Sequence, residues 1–80
     1  MFPLYRRYIT GTSYFKIISQ QHMQEIQKAG SRWFLFDVEA HQYPERVRIA
    51  EITAMDAGLY VEISESEYNA VYQQVQSSAD

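Results

Sequence analysis

Nowhere in this chain do more than four strictly apolar residues stand together, and the one run of that length is Trp33-Phe34-Leu35-Phe36. A bilayer span needs about 20. Eighty residues without a cysteine leave no disulfide to hold the fold together, and a chain of this size gains only a small surplus from a single core. The aromatic content carries that burden: one tryptophan, four phenylalanines and seven tyrosines. Tyrosine suits half-wet surfaces and interfaces. The opening MFPLYRRYITG has no apolar middle region of a signal peptide and no glycine after the first methionine. A soluble cytoplasmic protein is the expectation.

The net charge of −3 is unevenly spread. Residues 1–35 hold Arg6, Arg7, Lys16, Lys28 and Arg32 against Glu25, while residues 36–80 hold Arg46 and Arg48 against nine acids. Such asymmetry fits a basic patch for an anion, or neutralisation when the halves pack together or meet between two copies. The internal neutralisation is the simpler expectation.

Period and turn chemistry divide the chain further. LYRRYI (4–9) and YFKII (14–18) flank TGTS with Gly11, which reads as a hairpin. Ser19 then stands as a helix N-cap before QQHMQEIQKA, with Met23 and Ile26 one turn apart and Gly30 at the far end. From Arg32 the pattern reads as strand in RWFLFDVEA, turns through HQYPE, and returns as RVRIAEIT. After AMDAG, Leu59, Val61 and Ile63 alternate with Tyr60 and Glu62. Ser64 and Glu67 form a capping-box pattern ahead of Tyr68, Val71, Tyr72 and Val75, one apolar helix face. Residues 76–80 read as a frayed tail. The two serine-capped segments, YFKIISQQHMQEI and LYVEISESEYNAV, echo each other, as a degenerate ββα duplication would.

The order β-β-α-β-β-β-α predicts one small α+β domain with a mostly antiparallel sheet and two helices packed on one face. A β-grasp-like arrangement is the runner-up.

In FDVEAHQYPERVR, Asp37, Glu39 and His41 alternate as metal ligands on a strand would. A hairpin turning about residues 42 and 43 gives a competing account. It sets Glu39 opposite Arg46 and Asp37 opposite Arg48, with Val38 on Val47 and Phe36 on Ile49 beneath. Two guanidinium groups beside the carboxylates disfavour a cation, so ion pairs and no metal are expected. Trp33 and Leu35 would share the other face with Ala50 and Ile52, leaving an apolar patch in need of a cover.

Catalytic signals are weak. There is no cysteine and no G-x-S-x-G, Ser19 and Ser64 have capping roles, Glu65 and Glu67 suit a helix start, and His22 sits near a helix beginning. The glycines at 11, 30 and 58 are too dispersed to cradle a phosphate. The expectation is a non-catalytic, cofactor-free protein-binding domain, plausibly a homodimer using Trp33, Leu35 and Ile52. The alternative is a single-stranded nucleic-acid or anion module in which Arg6, Arg7, Tyr8, Tyr14 and Lys16 mix cations with aromatic platforms. The acidic total and the missing glycine signatures of such modules weigh against it.

Overall fold

A computed structural model describes the backbone of residues 1–78 and the side chains of residues 1–75. Four strands follow one another as a meander: β1 (Leu4–Tyr8), β2 (Ser13–Ser19), β3 (His22–Ala29) and β4 (Arg32–Glu39). Helix α1 (Tyr43–Ala54), a 3₁₀ turn (Asp56–Gly58), β5 (Tyr60–Glu62) and α2 (Glu65–Ser78) complete the chain. The sheet order is β4-β3-β2-β1-β5, antiparallel throughout. The α+β class and the antiparallel sheet are thus as expected, but the element order is β-β-β-β-α-β-α.

Two segments exchange roles relative to the sequence reading. Residues 22–29 form a strand instead of a helix, and Ser19 does not cap a helix: its Oγ accepts the Gln21 amide at 3.1 Å in a two-residue hairpin turn. The echo of the second serine-capped helix is therefore confined to a strand and a serine, and a ββα repeat is not built. Gly30, with φ of 65°, turns β3 into β4. A left-handed glycine serves a hairpin and a helix end equally, which is why its position does not discriminate between them. The carboxylate of Glu25, nearly inaccessible at 4 % exposure, is held by Arg48 at 2.7 Å and by Gln27 at 2.7 Å.

Residues 43–54 form a helix instead of a strand. Pro44 sits in the first turn, where its fixed φ suits the helix and its missing amide costs nothing. The Glu45 carboxylate accepts the amides of His41 (3.1 Å) and Gln42 (3.3 Å), satisfying donors that the first turn leaves without partners. Ile49 and Ile52, one turn apart, are buried completely against the sheet.

The helices lie on opposite faces, not on one. Under α1 the core unites Phe15, Ile17, Met23, Ala40, Ile49 and Ile52, with Leu4, Tyr8, Val38 and Tyr60 packed around it. Burying each such aliphatic side chain contributes about 1.5–3 kcal/mol. Helix α2 covers the alternate residues. Tyr68 is 2 % exposed, its ring lies 5.5 Å from Tyr5, and its hydroxyl is 3.4 Å from Gln24. Tyr5 and Gln24 point opposite to Leu4 and Met23, so Ile26, also inaccessible, belongs to this second layer. Ser64 caps α2 as expected, accepting the Glu67 amide at 3.0 Å. Helix α2 continues through Ser78, within the stretch expected as tail, and residues 79 and 80 lie outside the described residues. No helix among the described residues is long and apolar enough to cross a membrane.

Candidate functional site

The β4 edge gathers what the sequence run Trp33 to Phe36 promised. Strand β4 ends the sheet, bordered by β3 alone. Its register with β3 pairs Gln27 with Phe34, Ile26 with Leu35, and Glu25 with Phe36. Phe34 and Phe36 therefore stand on the α1 side, beyond the reach of that helix, and remain 43 % and 46 % exposed. Phe36 does not meet Ile49, as the expected hairpin required. Trp33 and Leu35 stand on the α2 side and are half-buried. The Trp33 ring meets Tyr14 edge-on at 5.9 Å, with Lys28 Nζ 5.5 Å from its centroid.

The backbone of this edge can be assigned an orientation. The Ala40 amide donates to the Gln21 carbonyl at 2.7 Å, continuing the β3–β4 register. In an antiparallel pair, residues that bond their neighbour alternate with residues that face away. The amides and carbonyls of Trp33, Leu35 and Asp37 thus point out from the sheet.

Of the expected interface residues, Trp33 and Leu35 lie together at this edge and Ile52 does not. Ile52 lies on α1, fully buried against the other face of the sheet, and is withdrawn from any partner. Phe34 and Phe36 were missed, because the pairing with residues 46–49 assigned that side of the strand to the core.

The proposed nucleic-acid platform is divided between the two faces. Register places Arg6 against Phe15 and Arg7 against Tyr14, with Tyr5 against Lys16. Arg6 and Tyr8 consequently face α1, while Arg7, Tyr14 and Lys16 face α2. Arg6 is only 6 % exposed and donates to the carbonyls of Tyr5 (2.9 Å) and Thr53 (3.2 Å). Tyr8 packs edge-on against Tyr60 at 5.6 Å. Arg7 reaches Glu67 at 3.7 Å, which joins the basic and acidic halves of the chain across the fold.

The ion pairs expected in FDVEAHQYPERVR are also rearranged. Arg48 binds Glu25, and Arg46 Nε donates to the Ala40 carbonyl at 3.4 Å. Asp37 instead meets His22 at 2.8 Å, and Glu39 meets His41 at 3.4 Å. Elsewhere an open cleft of about 420 Å³ is lined in part by Phe2, Arg46, Ile49 and Thr53, with Arg46 its one charged side chain among the described residues. It brings together no nucleophile and base.

Comparison with protein families, with curated proteins and with solved structures finds no match for this chain. The site is therefore read from its own chemistry.

Proposed function

We propose that this chain is a protein-interaction domain that assembles with a second copy of itself, strand β4 against strand β4, to continue the sheet across a two-fold axis. The observation that carries this reading is the composition of the edge: eight residues without proline, with two phenylalanines nearly half exposed on one side. Long edges of this kind are pairing templates, which monomeric sheets ordinarily shorten, charge or cover. Three of the eight β4 residues are charged, Arg32 at one end and Asp37 and Glu39 toward the other, and the stretch from Trp33 to Phe36 between them carries no charge.

A two-fold axis normal to the sheet pairs residues of like face. With Leu35 on the axis, its outward amide and carbonyl bond their own copies, and Trp33 bonds opposite Asp37 in the same way. Phe34 of each copy then meets Phe36 of the other on the α1 side, so that four exposed rings cover one another. Aromatic cross-strand pairs contribute about 0.2–1 kcal/mol each beyond alanine. Interface residues Trp33 and Leu35 keep their expected role, and Phe34 and Phe36 replace Ile52.

Light scattering across a concentration series tests the reading. The wild-type chain is expected to reach the dimer mass, and Phe36→Lys to stay monomeric with an unchanged circular dichroism spectrum, because residue 36 touches little of its own core. A wild-type chain that remains monomeric at high micromolar concentration would overturn the proposal.

A further inference from the structure

The open end of the β3–β4 hairpin carries a second feature. On the α2 face, His22 stands directly opposite Glu39, and Asp37 lies one same-face position along β4. The His22 imidazole, the Asp37 carboxylate and the Glu39 carboxylate offer ligand atoms that all lie within 4.8 Å of one another. His41 Nε2 is 3.4 Å from Glu39 Oε2 and extends the group. His22, Glu39 and His41 open onto a shallow cleft of about 300 Å³.

We infer that His22, Asp37 and Glu39 form a binding site for a divalent transition-metal ion of the zinc class. Imidazole nitrogen and carboxylate oxygen are both donors that Zn²⁺ accepts, and three protein donors leave a fourth position open. At metal–ligand distances of about 2.0–2.2 Å, tetrahedral donors sit roughly 3.4 Å apart. His22 Nε2 and Asp37 Oδ1 are in hydrogen-bond contact at 2.8 Å, so an ion takes the place of the shared proton and moves the two atoms slightly apart. The ligands come from two paired strands, whose backbone fixes their spacing before any ion arrives. Two carboxylates balance the charge of a divalent ion, and the fourth position is left to solvent or a ligand.

The arginines that counted against a cation in the sequence reading have moved. Arg48 is on the α1 side of the sheet with Glu25. Arg46 alone lines the cleft, with its Nε turned to the Ala40 carbonyl. Its charge opposes the ion, which supplies a test of its own: Arg46→Gln is expected to tighten binding several-fold.

The decisive measurement is calorimetric titration of the full chain with Zn²⁺ near neutral pH, beside thermal unfolding with and without the ion. Wild-type protein is expected to bind one ion per chain at micromolar or lower concentration and to melt at higher temperature when the ion is present. His22→Ala and Asp37→Asn are each expected to weaken binding at least about ten-fold and to reduce the melting shift at a fixed ion concentration. Both side chains are partly exposed, and unchanged circular dichroism verifies that the fold persists in each variant. Absence of binding into the millimolar range overturns the inference. So does binding that His22→Ala and Asp37→Asn leave intact. If the variants lower the melting temperature of the ion-free chain while Zn²⁺ has no effect on the wild type, the His22–Asp37 contact is a strand staple only and the inference fails.

Discussion

Arg6 shows how one buried charge is put to use. Helix α1 has no basic residue in its last turn, yet its carbonyls there need donors and its dipole favours a cation. Arg6 supplies both from β1, 47 positions away, by donating to the Thr53 carbonyl. The cost is visible in the same side chain, whose Nε is buried with no hydrogen-bond partner among the described residues. Arg6→Ala removes the cap and leaves the Thr53 carbonyl without its donor. A loss of about 1–3 kcal/mol is expected in urea unfolding. Arg6→Met gives up the same hydrogen bonds but fills most of the volume, so it is expected to cost less than Arg6→Ala. Equal losses in the two variants would show that the charge, not the packing, carries the whole effect. No sequence pattern could have disclosed this role, since residue 6 and residue 53 become neighbours only when α1 crosses the sheet.

At the scale of elements, Tyr68 is the α2 side chain most deeply buried against the sheet among the described residues. Burial pushes its phenol well above the ordinary tyrosine range, and the neighbouring Tyr72 and Tyr5 push it the same way. Burial likewise raises Tyr5, with the nearby Glu65 carboxylate adding to the effect, and raises Tyr60. In each case the folded state holds its proton at a pH where the unfolded chain has released it. This contribution to stability is complete below the unfolded value of about 10 and is lost as pH rises from there toward the folded values. Chemical unfolding followed from pH 8 to about 11 is expected to show a decline that begins near pH 10. Tyr68→Phe should be shallower in that decline and cost only about 0.5–1.5 kcal/mol at neutral pH, where its weak hydrogen bond to Gln24 is lost. An identical decline in the variant would remove Tyr68 as the source. The α2 element was legible beforehand because its signals are local: a serine cap, a glutamate three residues on and an apolar face at helical spacing. The same reading failed at 22–29, where weak helix propensity was overridden by pairing on both sides of a central strand. It failed at 43–54 because Val47 and Ile49 imitate alternation. The proline and the glutamate of QYPE were the better signal, being chemistry that a helix start uses and a strand does not.

For the whole molecule, the consequence of the β4 edge is that assembly and stability are coupled. If a second copy covers Phe34 and Phe36, the folded form is drawn by mass action, and the melting temperature should rise with protein concentration. Calorimetric scans across a hundred-fold range are expected to show this for the wild type and a flat response for Phe36→Lys. A concentration-independent wild type would separate the edge from any role in assembly. Of the excess charges of the two halves, Arg7 and Glu67 meet inside one chain.

What this sequence determined by itself was the class of domain and the places where short-range chemistry is decisive: the first hairpin, β4, β5, the capped α2, and an apolar run needing a partner. Propensity, capping and turn conformation act over a few residues, so they can be read without knowing what lies across the fold. The tertiary structure alone decided that 22–29 pairs as a strand, that α1 and α2 take opposite faces, that Ile52 is sealed in, and that His22 joins Asp37 and Glu39. Each of those outcomes depends on which strand neighbours which, and a one-position change of parity reverses the face of every side chain. That choice is made by the burial of the whole sheet between two helices, a sum no local stretch of the chain contains.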